Sequence, residues 1–437
     1  MKARPALAAV FLAATLSLPH SARAQSTWGY GRITLFGQYA QTNRIDGGPN
    51  TTFSSISAIA SLASKPADDG GVEYGFDARG EEYPSSDQTN RVSIYDAWVG
   101  GQLKGGTAGL RIGQMWLNDV GGLGSVGGAL LEVRPFQATS AGRFRFGVFA
   151  GLEPDLYQAG YVSGVKKFGG YAAFDGLHGW KNVLGYVQIR DKSVTERSVV
   201  TMLNFIPIGR DFFLYQAAEV DTTGPAGSGG GANLTYMFVN ARLKPVKWLE
   251  IQALYHRGLS VDTRTIAQDI LNGRPVDPRA LEGFLYSSVG GRVTIEPVRN
   301  LRIWGGYSQE KSSREGQSYP RYQAGISAMN VFGFDLTASD YRYNPPSTGP
   351  YDSIYASIGR SIGPKVYLTL DYTTSLSTLN VTTIDGILVQ SHPRSRRYAL
   401  SGVINLSRAF SLLVTGEQIR DDYARQNRFL AGLTFRF

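Results

Sequence analysis

Residues 428–437 read Arg-Phe-Leu-Ala-Gly-Leu-Thr-Phe-Arg-Phe. Phe429, Ala431, Leu433, Phe435 and Phe437 fall on one side of an extended chain, and Arg428, Gly432, Thr434 and Arg436 on the other. A period of two is the signature of a half-buried strand, not of a helix. The same split recurs at Val366, Leu368, Leu370 and Tyr372 against Tyr367, Thr369, Asp371 and Thr373. It recurs again at Leu301, Ile303, Gly305 and Tyr307 against Arg302, Trp304, Gly306 and Ser308.

Working back toward Tyr30, alternating segments return about every 19 residues, with no composition shift that would mark a linker. Alternation alone does not separate a soluble sandwich from a membrane barrel, but connection lengths do, because barrels of the outer-membrane type join short turns at one end and longer loops at the other. Short links at Lys104-Gly105-Gly106, Pro207 to Arg210, Pro297 to Asn300, Gly363-Pro364 and Arg408-Ala409 alternate with longer ones at 116–128, 222–230, 259–283, 311–319 and 376–396. The expected fold is therefore all-β: a single antiparallel up-and-down transmembrane barrel over residues 25–437, without an N-terminal plug. The rhythm gives about 22 strands, an even number, with 16–22 compatible. Alternation blurs at Phe53 to Ser64 and Tyr157 to Asp175.

Composition narrows the function. Lys2 and Arg4, the apolar run from Ala6 to Leu18 and Ala22-Arg23-Ala24 form a secretory signal over residues 1–24. No stretch offers the roughly 20 apolar residues of a spanning helix. Removing Lys2, Arg4 and Arg23 leaves 41 basic against 35 acidic side chains, dispersed along the chain. A nucleic-acid binder concentrates its basic charge on one face, so no nucleic-acid partner is expected. Cysteine is absent, which removes thiolate metal sites and cysteine nucleophiles. The histidines after the signal are His178, His256 and His392, and neither a G-x-S-x-G elbow nor an H-E-x-x-H pair is present. The reading is a non-enzyme with no catalytic residue, metal or cofactor.

The signal, the alternating strands and the segment from Phe429 to Phe437 resemble bacterial outer-membrane β-barrel proteins of the porin-like kind. That resemblance implies location in the outer membrane, contact with its lipid, and recognition of Leu433, Phe435 and Phe437 by the barrel-assembly machinery.

The polar face supplies the candidate lumen: Arg32, Glu73, Asp77, Arg79, Arg111, Arg143, Arg145, Arg242, Glu250, Arg292, Arg302, Trp304, Asp371 and Arg397, with Glu81, Glu296, Asp335 and Glu417 beside them. Side-chain charges around a water-filled pore set its ion preference; cross-strand pairing that braces the wall is the competing role for each residue. Because both signs are present, the expected preference is weakly anionic, and the expected cargo is small hydrophilic solutes.

The run from Trp116 to Gly128 contains Trp116, Asn118, Asp119, Gly122, Gly124 and Ser125, residues suited to a compact loop that either folds into the pore or crosses its rim. Its Gly122-x-Gly124-x-x-Gly127 matches a dinucleotide fingerprint only formally, since no helix follows. In 259–283, Asp262 or Thr263 caps a predicted helix from Thr265 to Leu271, and Asp277-Pro278 starts a second turn at Arg279 to Glu282. This loop either covers the pore, contacts a protein partner or shields the rim, and the partner option gives a structural or export-assembly barrel as the alternative function. Tyr39, Tyr83, Tyr255, Tyr307, Tyr343, Tyr372 and Trp248 are candidates for interfacial girdles, and Trp304 is the best inward platform for a stacked sugar.

Overall fold

The computed structural model describes residues 29–45, 47–65, 71–85, 88–136, 139–155, 157–223, 232–275, 282–346, 348–382 and 388–437. The signal segment 1–24 and, apart from Glu282, the helical turn expected at Arg279 to Glu282 lie outside these residues.

The strands are β1 (Tyr30–Arg44), β2 (Thr51–Ala63), β3 (Val72–Glu82), β4 (Arg91–Gln102), β5 (Ala108–Trp116), β6 (Ser125–Val133), β7 (Gly142–Pro154) and β8 (Tyr161–Gly176). They continue as β9 (Lys181–Asp191), β10 (Val194–Ile208), β11 (Phe212–Thr223), β12 (Asn233–Val246), β13 (Leu249–Ser260), β14 (Phe284–Val298), β15 (Leu301–Ser312) and β16 (Ser318–Val331). The remainder are β17 (Phe334–Tyr343), β18 (Tyr351–Ile362), β19 (Val366–Ser377), β20 (Leu379–Thr382), β21 (Leu388–Ser391), β22 (Arg394–Asn405), β23 (Phe410–Arg420) and β24 (Ala424–Arg436). A helix, α1 (Thr263–Leu271), lies between β13 and β14.

All strands but β20 and β21 form one 22-stranded sheet. Each sequential neighbour pairs antiparallel, β19 pairs with β22, and β24 returns to β1 in a register running from Arg32↔Arg436 to Arg44↔Ala424. The sheet is thus closed and has no edge, which is what a backbone in lipid requires. Gly31 and Phe437 add a reciprocal clasp to this seam, the amide of each donating to the carbonyl of the other at 2.9 and 3.1 Å. β20 and β21 pair only with each other in the long β19–β22 connection.

Tight turns close the periplasmic end. Asn300 and Gly363 take left-handed φ values of 70° and 64° there, a region open to Gly and tolerated by Asn. Outward positions are largely apolar and exposed, as at Val148, Leu184, Ile303 and Leu400, and no described helix is long and apolar enough to cross a membrane. An exposed apolar band around a closed barrel is a lipid-facing surface, and the chain is a transmembrane barrel of the outer-membrane type.

Residues sharing a sheet row share a face, so register assigns inside from outside. Tyr39, Tyr255, Tyr307 and Tyr372 point outward with the girdle. Tyr83 and Tyr343 do not: Tyr83 bonds Glu81 at 3.0 Å, and Tyr343 pairs with Tyr351 and packs on Tyr341, all on the inner side. Both lie an even number of residues from inward neighbours, and that parity overrides their position near a strand end.

A candidate constriction inside the barrel

The β5–β6 connection is built to turn inward. Leu117 and Gly124 close it through Leu117 N–H donating to the Gly124 carbonyl at 2.9 Å, and a 3-10 turn spans Asn118–Leu123. A Cβ on Gly124 would stand 2.1 Å from the Leu117 carbonyl oxygen, so only glycine permits this closure. Gly121, at φ 63°, supplies the reversal within the turn.

The turn carries Val120 onto the inner wall of β9 and β10, where it is fully buried. A Cβ on Gly185 would lie 3.0 Å from Val120 Cγ1, so the absence of a side chain in mid-β9 makes the seat. Around it Leu117, Leu123, Met115, Val126, Leu130, Phe149, Tyr171, Val183, Val187 and Val199 form an apolar cluster inside the barrel. An inner wall that is apolar here, unlike a water-lined one, has to be covered; burying a Val side chain contributes about 1.5–3 kcal/mol.

Polar anchors fix the orientation. Both Asp119 oxygens accept from Arg145, at 2.9 and 3.1 Å, and Lys181 approaches at 2.7 Å. Arg145 also meets Glu132 at 2.6 Å and Asp175 at 2.5 Å, and its guanidinium lies 5.6 Å from the Tyr171 ring centre. Arg134 pairs with Glu132 at 2.7 Å, and Arg111 with Glu73 at 3.3 Å. Below the turn, Trp116, Leu117, Asn118 and Asp119 share a cavity of about 230 Å³ with Arg111, Glu132 and Arg145. On its other side, Asp119 to Gly122 face Tyr215, Glu219 and Tyr236 across a cavity of about 300 Å³.

A second insertion lies nearer the outer mouth. Asp262 caps α1 by accepting from the Thr265 amide at 3.1 Å and from its hydroxyl at 2.7 Å. The helix begins at Thr263, two residues earlier than the pattern suggested. Its Ile266 and Ala267 are buried, and the helix contacts β10 and β9. Arg264 joins Glu196 at 3.2 Å and Glu153 at 3.1 Å. Lys167 links the two insertions, donating to the Ser125 carbonyl at 2.9 Å with Glu153 3.8 Å away.

Register places the fourteen lumen candidates on the inner face, but they form no single ring. Arg111, Glu73 and Arg145 gather under the turn, while Arg143 donates to the Gly106 carbonyl at 2.9 Å in a periplasmic turn. Arg32 and Asp77 flank Ser61 in one row; Arg79 pairs with Glu81. Arg242 lies over Phe213, Arg292 over Trp304, and Glu250 pairs with Lys244 at 3.2 Å. Arg302 stands 3.5 Å from Glu296, Asp371 accepts from Tyr355 at 2.7 Å, and Arg397 pairs with Glu417.

Sequence reasoning missed Glu132, Lys181, Lys167, Arg197 and Glu196. The first three belong to segments where apolar residues occupy both faces. Glu196 is skipped by the β9–β10 register, which shifts between Thr195 and Arg197. His256 is an inner-face residue between the Phe238 and Tyr286 rings. Among the described residues no group of His, Cys, Asp and Glu could hold a metal.

No protein-family model matches the chain. No curated protein matches it. Among solved structures it is similar to Pseudomonas aeruginosa OpdQ, at TM-score 0.45 and 10% identity over 94% of this chain and 99% of that one. Acinetobacter baumannii OccAB4 gives TM-score 0.43 and 10% identity over 94% and 99%, and the outer membrane protein OprD from Pseudomonas aeruginosa gives 0.42 and 10% over 95% of each.

Proposed function

We propose that the barrel is an outer-membrane channel for small hydrophilic solutes, with its selectivity set by a mixed-charge lumen and by the turn at Trp116, Asn118, Asp119, Gly122, Gly124 and Ser125. The observation that carries this reading is asymmetric filling. The inserted turn and α1 cover the inner wall of β7–β10, whereas inner-face charges elsewhere stay open to water, with side-chain exposures of 61% for Arg302, 44% for Arg79 and 43% for Arg397. A charged wall exposed to solvent inside a closed sheet is a conduit, and charges lining it bias the ions that pass.

His256 is flanked by the Phe238 and Tyr286 rings and pairs in register with Ser288 and Phe238, and among the described residues no acid forms a hydrogen bond or ion pair with it. Burial of Ile266 and Ala267 where α1 meets β9 and β10 favours the channel over the alternative of a barrel acting through a partner at 259–283. Export through a cleaved signal, and assembly guided by Leu433, Phe435 and Phe437, complete the proposal.

The test is single-channel recording of the refolded protein in a planar bilayer, with reversal potentials under a salt gradient. Stable openings with weak anion preference support the channel; a folded, heat-modifiable barrel that never conducts overturns it.

A further inference from the structure

Three strands at the barrel seam stack their outward residues in continuous rows. From the periplasmic side these read Ile404–Leu412–Leu433, Gly402–Val414–Ala431, Leu400–Gly416–Phe429, Tyr398–Gln418–Asn427 and Arg396–Arg420–Arg425. The first three rows are apolar or small. The fourth is amphipathic, with Gln418 donating to Asn427 at 3.2 Å. The fifth sets three arginines side by side on β22, β23 and β24, at the outer ends of the strands.

Like charges directly opposite in adjacent strands destabilise a sheet. All three side chains are exposed, and none makes an ion pair or side-chain hydrogen bond within the described chain. The row neighbours beyond them, Thr374 on β19 and Asn43 on β1, are uncharged. A folded surface that keeps three unpaired guanidinium groups adjacent, directly above an aromatic belt of Tyr398 and Phe429, is complementary to an anion held at headgroup level. Guanidinium forks match phosphate oxygens two at a time.

We propose that Arg396, Arg420 and Arg425 form a binding site for the phosphate-bearing headgroup of an outer-leaflet lipid, whose acyl chains lie along the apolar rows beneath. The occupant is a lipid, not a soluble anion, because the site continues without a break into the lipid-facing surface.

The experiment uses the full-length folded barrel in neutral detergent. Binding of a bisphosphorylated diglucosamine lipid is followed by the rise in unfolding temperature, in parallel with the dephosphorylated lipid and with inorganic phosphate. Wild type is stabilised by the phosphorylated lipid, and the apparent affinity falls on the order of a hundredfold in the Arg396→Gln/Arg420→Gln/Arg425→Gln variant. The corresponding triple Lys variant, which keeps the charge, retains part of the affinity and guards against a folding defect. Equal stabilisation of wild type and the Gln variant, equal stabilisation by the dephosphorylated lipid, or a comparable effect of inorganic phosphate alone overturns the assignment.

Discussion

Asp119 and Arg145 meet through two parallel bonds of 2.9 and 3.1 Å, fastening a connecting turn to the inner wall of the barrel. The pair is largely enclosed, with side-chain exposures of 13% and 11%. Arg145 keeps Glu132 and Asp175 when Asp119 is neutralised, whereas Lys181 loses the carboxylate it approaches. Asp119→Asn is expected to fold and to shift the reversal potential toward anions, since one lumen charge is removed. Loss of the charged bond weakens the anchor by about 1.5–3 kcal/mol, seen as more frequent current fluctuations. An unchanged reversal potential in a salt gradient places Asp119 away from the ion path.

The apolar anchor makes a separate prediction. Val120 is fully buried against β9 and β10, and Val120→Asp would place a carboxylate there without a partner. Burial of an unpaired charge costs more than the turn gains from its remaining contacts, so the turn leaves the wall. The expected result is a larger single-channel conductance with heat-modifiability retained, because the sheet hydrogen bonds are untouched. Conductance equal to wild type means that the turn does not narrow the path.

How far the sequence carried this picture depends on the strand. Where one face is apolar and the other polar, as in Phe429 to Phe437 or Leu301 to Ser308, parity assigned inside and outside correctly by the observed register. Over Tyr157 to Asp175 it blurred for a physical reason: Val165 and Ala173 of β8 face inward beneath the inserted turn and α1, beside Val183, Val187 and Ile189 of β9, so β8 is apolar on both sides. A buried inner wall is the local signal of an inserted loop, and it was present in the sequence as that loss of alternation. What one chain could not supply was the partner set of Asp119, because Arg145 and Lys181 approach it from strands whose pairing fixes their distance only in the folded barrel.

Charge on the uncovered wall should govern ion preference without governing stability. Arg302 is the most exposed of the inner-face pairs considered, and its contact with Glu296 is long at 3.5 Å. An exposed pair of this kind contributes about 0–1 kcal/mol. Arg302→Glu is therefore expected to leave the unfolding temperature near that of wild type and to move the reversal potential toward cations. A variant with unaltered selectivity would argue that ions pass elsewhere or that the lumen is closed at this level.

Acid should act on α1 through its cap. Hydrogen bonds from the Thr265 hydroxyl and amide hold the Asp262 carboxyl below its ordinary range. A depressed folded-state value means that the stabilisation is complete above the ordinary aspartate pKa of about 3.9 and is lost as pH falls through the lower, folded-state value. The helix is expected to stay docked at neutral and mildly acidic pH, with hydrogen exchange across 263–271 accelerating only below that range. Asp262→Asn, a neutral but competent cap, should flatten the dependence, while Asp262→Ala should raise exchange at every pH. Identical profiles for wild type and the Asn variant would assign the acid response to another group.

Closure of the barrel concentrates at its seam, where Phe437 exchanges backbone hydrogen bonds with Gly31 and stacks its ring on Phe435 at 5.4 Å. Phe435 in turn packs on Phe410 at 4.7 Å, so the aromatic row joins β23 to the closing strand. Such ring pairs contribute about 0.5–1.5 kcal/mol beyond the area they bury. Phe437→Ala keeps the backbone clasp and removes the stack, and Phe435→Ala removes both ring contacts. The expected order of assembled, heat-modifiable barrel recovered from membranes is wild type, then Phe437→Ala, then Phe435→Ala. In detergent refolding, where no assembly machinery is present, the loss should shrink to what the ring contacts account for. Equal losses in membranes and in detergent would make these residues structural only and remove the proposed recognition role of Leu433, Phe435 and Phe437.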